Sequence, residues 1–408
     1  MADAAAPHKD RSALPYRLWD ADNHYYEPDD CYQRHIEAAF RERTMWIDRS
    51  DPGKPGRMYV GDERCEFFSV GCGDSIGAPG IMKAFLRGTS DEGGSPSLNP
   101  IDGLAVPEFV ERGARLARMD EQDVEACLML PTTGVGLEPQ LRKPKHREVL
   151  YPSLRAFNRW LEEDWGYGAD GRIFGAPVNS LVDLDEAIAE LERLLARGAR
   201  FMILTAGPVE GRSPADPCFD PFWARVEEAR LNVVYHIGRT PFSEMYNPAW
   251  GLRPHPPSHR HSMMEYVLSF TERPISDTLT ALVADNLFGR FPDLRILSIE
   301  YGASWLPALM KKLDAISRLF SKDMWRFGTP PLKPSETLRR NFWIAPFFED
   351  DVPAIVGALG EDHVLSGSDY PHPEGLLWPA EFVEELDGLG DAAIQKIMRD
   401  NLAGLAAG

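Results

Sequence analysis

Apolar residues along the chain fall into short runs, separated by longer stretches of mixed polarity. Eight runs read as strands: YRLWDADNH (16–24), EACLMLPTT (125–133), GRIFGAPVNS (171–180), GARFMILTAG (198–207), LNVVYHIG (231–238), DLRILSIEYG (293–302), NFWIAP (341–346) and HVLSGSDYPH (363–372). Most have nearly continuous apolar centres, the pattern of parallel strands covered on both faces by helices. Between them, LVDLDEAIAELERLLARG (181–198) repeats apolar residues at helical spacing, with Asp183 or Asp185 to cap its start and Gly198 to end it. PCFDPFWARVEEARL (217–231), GASWLPALMKKLDAISRLF (302–320) and DAAIQKIMRDNLAGL (391–405) have the same character. Strands alternating with helices in this number predict an α/β fold, a distorted (β/α)8 TIM-type barrel spanning 16–406. A doubly wound open sheet is the rival, and the lack of a glycine-rich phosphate loop after the first strand counts against it.

Two connections exceed the usual length. Residues 31–107, rich in Gly, Pro and Asp, follow the first strand, and MYVGDERCEFFSV (58–70) within them reads as a hairpin around Gly61-Asp62. Residues 239–263 follow the fifth strand. In a barrel such connections lie on the C-terminal face, so 31–107 is expected to be an inserted lid or subdomain. The first residues, MADAAAPHKDRS, lack a long apolar run; 1–15 are expected to be a disordered tail rather than a signal peptide.

Composition narrows the function. The chain has 408 residues, 43% of them hydrophobic, enough for a large core. Its 44 basic and 63 acidic residues give a formal net charge of −19, which disfavours nucleic acid and anionic lipid as partners. No window is apolar enough to span a membrane. Five cysteines without a C-x-x-C pair argue against a disulfide framework or a thiolate zinc site, and a reducing cytoplasm is the expected compartment.

The strand ends carry the chemistry. In the predicted barrel their C-terminal residues converge on one mouth: Asp22 and His24 from the first strand, His236 from the fifth, Glu300 from the sixth, Asp369 and His372 from the eighth. Thr132, Asn179 and Thr205 end the second, third and fourth. Residues two apart on a strand share a face, so Asp22 and His24 both point inward. Such a mixed imidazole and carboxylate set suits one divalent ion, with Zn2+ first and Mn2+ second. Asp22, His24, His236 and Asp369 are the candidate ligands; Asp369, Glu300 and His372 are the candidates for proton transfer. Each also has a bland reading. D-x-H at a strand end is a common turn, a lone His is often a hydrogen-bonded core residue, and Glu300 suits a salt bridge, for instance to Arg239. The histidines of RPHPPSHRH (253–261) sit in a Pro-rich loop and read as solvated.

DADNHYYEP, VVYHIG, SIEYGASWLPALMKKLD and LSGSDYPHPEG, in that order, resemble the amidohydrolase-related family. This branch of the amidohydrolase superfamily contains aminocarboxymuconate semialdehyde decarboxylase and the resorcylate-type decarboxylases. The resemblance implies a distorted barrel with one catalytic metal, in an enzyme that acts on small molecules and assembles as a homodimer or larger. It aligns the family's H-x-H or E-x-H pair with Asp22 and His24, its fifth-strand His with His236 and its eighth-strand Asp with Asp369. The decarboxylases carry a catalytic His where this chain has Glu300-Tyr301-Gly302. RFMILTAG lacks the Lys that binuclear relatives carboxylate. The reading that follows is a metal-dependent hydrolase, with a non-oxidative decarboxylase as the alternative and a non-catalytic ligand-binding barrel as the third.

Overall fold

The computed structural model describes residues 14–51, 54–65, 67–68, 76–89, 100–258 and 260–408. The expected tail therefore lies almost wholly outside the described residues. The strands are β1 (Leu18–Tyr25), β2 (Met45–Asp48), β3 (Arg57–Val60), β4 (Glu63–Arg64), β5 (Val124–Pro131), β6 (Ile173–Gly175), β7 (Phe201–Ile203), β8 (Asn232–His236), β9 (Arg295–Ile299) and β10 (Phe342–Ile344). The main helices are α1 (Arg112–Glu121), α2 (Arg147–Asp164), α3 (Leu184–Ala196), α4 (Asp220–Glu228), α5 (Arg273–Ala284), α6 (Leu306–Ser317), α7 (Pro334–Asn341) and α8 (Val352–Leu359). Strands and helices alternate from β5 onward, and the fold is α/β.

Two parallel sheets form the centre, one in the order β1-β5-β6 and the other β10-β9-β8-β7. Single parallel bridges continue this order between them: Val178 with Ile203, Ile344 with Val364, and Asn23 with Tyr370. The eighth predicted strand is thus extended chain rather than a regular strand. It still bonds β1 along its length, through Ala21 N to Ser366 O (2.9 Å), Asp369 N to Asp22 O (2.7 Å) and His24 N to Tyr370 O (2.7 Å). The polar run SGSDYPH explains the irregularity: small and turn-forming residues do not hold a ladder, so side chains complete the seam.

Asp20 is the principal side chain there. It is buried, and its carboxylate accepts from Ser368 N (2.9 Å), Ser368 Oγ (2.5 Å), Asn23 Nδ2 (2.9 Å) and Asp22 N (3.1 Å). Asn23 in turn accepts from the buried Arg115 of α1, whose guanidinium lies over the Tyr370 ring at 5.2 Å. Packing at this seam is close: a Cβ on Gly367 would sit 2.7 Å from Asp22 Cβ, so only glycine allows the approach.

Local sequence accounts for the surrounding elements. Asp183, not Asp185, caps α3, accepting from Asp185 N and Glu186 N, and Gly198 with φ +84° follows its end. The expected hairpin is β3–β4, turning at Gly61 with φ +57°, and β2 adds a third antiparallel strand. Bonds from this segment reach loops beyond the C-terminal ends of the central strands. Phe67 O accepts from Ser258 N (2.7 Å), Gly80 N donates to His372 O (3.3 Å), and Met82 N donates to Pro373 O (2.9 Å).

The backbone itself is strained at two of the candidate residues. Glu300 and Asp369 have φ of +61° and +56°, in the left-handed region that non-glycine residues avoid. In each case the turn comes where the chain leaves its strand direction.

Two outcomes follow. Asp20→Ala strands the buried donors of Ser368 and Asn23 and is expected to cost about 3 kcal/mol, read by urea denaturation. Glu300→Gly relieves the positive φ and removes a buried carboxylate, so the metal-free protein is expected to gain about 1 kcal/mol and melt later in calorimetry.

Candidate metal centre

β1 delivers its side chains through a register irregularity. Asp20 pairs with Cys127 and Asn23 with Met129, so one extra residue of β1 is accommodated between them. Such bulges re-aim side chains. Asp22 Oδ1 lies 3.1 Å from His24 Nε2. His236, the last residue of β8, brings Nε2 to 3.3 Å from His24 Nε2 and 3.7 Å from Asp22 Oδ1. Glu300, just past β9, puts Oε2 3.0 Å from His236 Nε2 and 3.7 Å from His24 Nε2. Asp369 Oδ1 is 3.5 Å from His24 Nε2 and 2.6 Å from His372 Nδ1.

These residues form two overlapping groups, each with ligand atoms within 4.8 Å of one another: Asp22, His24, His236 and Glu300, and His24, Glu300, Asp369 and His372. By distance, the fourth member beside Asp22, His24 and His236 is Glu300, which the sequence reading gave to proton transfer. Asp369 belongs to the second group. The suggested Glu300–Arg239 bridge does not form. Arg239 instead bonds Gln140, Glu244 (2.9 Å) and His255 Nδ1 (2.9 Å). His255 and His261 are half-buried rather than solvated, His261 against Phe270 with ring centroids 4.9 Å apart; His259 lies outside the described residues. Nearby, Phe67 packs on Phe68 and Phe270, and Trp250 is 65% exposed.

The remaining strand-end residues divide. Asn179 bonds backbone atoms of Ala187 and Ser180, and Thr205 bonds Glu138; neither reaches the cluster. Thr132 does, with Oγ1 3.1 Å from His372 Nε2. Sequence reasoning missed Asp20 and Glu374, which acts electrostatically on Asp369. A buried Asp two residues before a D-x-H pair was the available signal for the first.

The electrostatics are dominated by burial of like charges. Burial pushes Glu300 up, and it pushes Asp369 well above the usual carboxylate range with help from Glu300, Glu374 and Asp22. Burial also acts to raise Asp22, but hydrogen bonds from the His236 and His24 rings hold it low. Burial and the neighbouring His372 bring His24 down to about 3. Burial disfavours charge on His236 too, yet Glu300 and Asp22 outweigh it and raise the ring to about 10. The acidic groups compete for one imidazole's charge. Among the described residues, the ion pairs of Asp22, Glu300 and Asp369 involve histidines alone, with no Lys or Arg.

That donor set fits a divalent cation. His236 Nδ1 lies 2.7 Å from Ile237 O, which can only accept, so Nδ1 carries the hydrogen and Nε2 of the neutral ring is left as a ligand atom. Two imidazole nitrogens and several carboxylate oxygens converge where buried negative charge needs compensation.

A family model described as amidohydrolase matches residues 104–403. The crystal structure of an amidohydrolase from Mycobacterium avium subsp. paratuberculosis K-10 is 38% identical, covering 97% of this chain and 100% of that one, with a TM-score of 0.87. The 5-carboxyvanillate decarboxylase of Sphingomonas paucimobilis is 18% identical over 96% of this chain and 99% of its own, with a TM-score of 0.59. A dihydroxybenzoic acid decarboxylase from Polaromonas sp. JS666, solved with bound manganese, is 18% identical over 80% and 92%, with a TM-score of 0.57. The latter two share the fold. Among curated proteins, none matches the chain. The match over residues 104–403 and the 38% identical relative together establish that the chain belongs to the amidohydrolase family.

Proposed function

We propose that the chain is a metal-dependent hydrolase that cleaves a carbonyl-like bond of a small, uncharged organic substrate at the mouth of a (β/α)8 barrel. The observation that carries this reading is the third carboxylate. Asp22, Glu300 and Asp369 bring three acidic groups around the two imidazoles of His24 and His236. Ionised, they exceed the charge of one divalent ion. A substrate carboxylate would add to that surplus, whereas an ester, lactone or amide adds none.

Asp22, His24, His236 and Asp369 would hold the cation, with Glu300 in the same group. When bound, a divalent ion supplies Lewis acidity, polarising a carbonyl oxygen and acidifying water. Asp369 takes the proton of the attacking water, 2.6 Å from His372 Nδ1. Glu300 assists proton transfer as a carboxylate, accepting a proton and passing it to the leaving group. Zn2+ is the first choice of ion, because two imidazoles contribute. Mn2+ is the second, supported by the carboxylate-rich set and by the manganese of the Polaromonas enzyme.

The segment 31–107 acts as a lid in this reading. Its support is the set of bonds from Phe67, Gly80 and Met82 to loops beyond the strand ends that carry the cluster. No helix among the described residues is long and apolar enough to cross a membrane. A cytoplasmic enzyme assembled as a homodimer or larger completes the proposal.

A second reading is non-oxidative decarboxylation of an aromatic or unsaturated acid. It is favoured by structural neighbours whose names give that activity on 5-carboxyvanillate and dihydroxybenzoic acid. Screening esters, lactones, amides and aromatic acids in H2(18)O with the metal restored separates the readings: hydrolysis puts solvent oxygen in the product, decarboxylation releases CO2, and a binding barrel does neither.

Zn2+ at about 100 times its Kd should stabilise the protein by about 2.7 kcal/mol, seen as a higher Tm. Asp22→Ala and His236→Ala should abolish that shift and the metal found by elemental analysis. Glu300→Gln should lower kcat by roughly 10²–10⁴-fold at matched metal content. An unchanged kcat at full occupancy removes Glu300 from proton transfer.

A further inference from the structure

Thr132 follows β5 and touches the His372 ring without being acidic or basic itself. Its Oγ1 lies 2.7 Å from the Tyr25 carbonyl oxygen and 3.1 Å from His372 Nε2. A hydroxyl has one hydrogen, and a carbonyl can only accept. The Thr132 hydrogen therefore goes to Tyr25. Its lone pairs face Nε2, and Nε2 must supply the hydrogen of that contact. On the far side of the ring, Nδ1 lies 2.6 Å from Asp369 Oδ1.

The imidazole is fixed in other ways too. It packs against His24 with centroids 4.2 Å apart and against the Tyr26 ring at 5.8 Å, and His372 N donates to Asp369 O at 2.8 Å. Both ring nitrogens are engaged, so His372 has no nitrogen left for a substrate. It acts through Asp369.

We propose that Thr132 is a positioning residue for the His372 ring. By accepting from Nε2, it fixes the hydrogen on that side of the ring and turns Nδ1 toward Asp369 Oδ1. The contribution to turnover rests on the hydrolase reading; the assignment of the ring hydrogens does not.

The test uses full-length protein labelled with ¹⁵N-histidine and loaded with Zn2+. Long-range ¹H–¹⁵N spectra report which ring nitrogens carry hydrogen, and the His372→Gln spectrum assigns the His372 signals. Wild type and Thr132→Ser should show a protonated Nε2 slow to exchange with water. In Thr132→Val, that hydrogen should exchange at least tenfold faster at unchanged zinc content. Turnover of p-nitrophenyl acetate should fall at least tenfold in the Val variant and return to within threefold of wild type in the Ser variant. A bare Nε2 in wild type, or an equally protected Nε2 hydrogen in Thr132→Val, overturns the proposal. The wild-type spectrum decides even if the Val variant misfolds. Absence of p-nitrophenyl acetate hydrolysis in every form counts against the hydrolase reading alone, since the spectra stand without it.

Discussion

Burying carboxylates beside one another is costly unless positive charge comes with them, and the rest of this site answers to that constraint. Asp22, Glu300 and Asp369 lie at the mouth of the central strands with no Lys or Arg ion pair among the described residues. Histidines are the available counter-charges, and burial holds one of them, His24, neutral. The opposite pKa shifts of His24 and His236, two rings 5.0 Å apart, express the same shortage: one is pressed to stay neutral while its neighbour is pressed to become charged. A fold that tolerated this arrangement merely for stability would do better with apolar residues of the same size. The cluster makes physical sense as a receptor for a cation.

Convergence of these groups is enforced by unusual backbone rather than by regular strands. β1 accommodates an extra residue, Gly367 lets the last segment approach Asp22, and Glu300 and Asp369 accept a left-handed conformation. Each device costs stability or freedom, and all concentrate on the same few ångströms. Asp20, with four donors on one carboxylate, compensates by locking the first and last segments together.

Much of this was legible in the chain. Continuous apolar runs gave β1 and β5 to β10 their positions, Gly61-Asp62 marked a hairpin, and the helix over 184–196 announced its own cap and stop. The strand-end reading named Asp22, His24, His236, Glu300, Asp369 and His372, all of which lie in the two groups. What stayed hidden depends on three-dimensional distance. Glu300 joins both groups and Asp369 only one, a matter of side-chain distance that no spacing encodes. The Arg239–Glu300 bridge looked reasonable from adjacent strand ends, yet Gln140, Glu244 and His255 claim the guanidinium first. Asp20 looked like one more polar residue of a turn, because its four donors come partly from a segment far along the chain.

That separation has a consequence for biogenesis. Asp20 and Ser368 are 348 residues apart in sequence. Asp22 and His24 emerge from the ribosome long before Asp369. A nascent chain that stops short of Asp369 cannot assemble the whole cluster, so the first strand stays unpaired on one side until then. In the proposed site, completion of the donor set then waits for the segment around Asp369 to dock. A chain truncated before residue 368 would lack both the lock and the Asp369 carboxylate of the cluster.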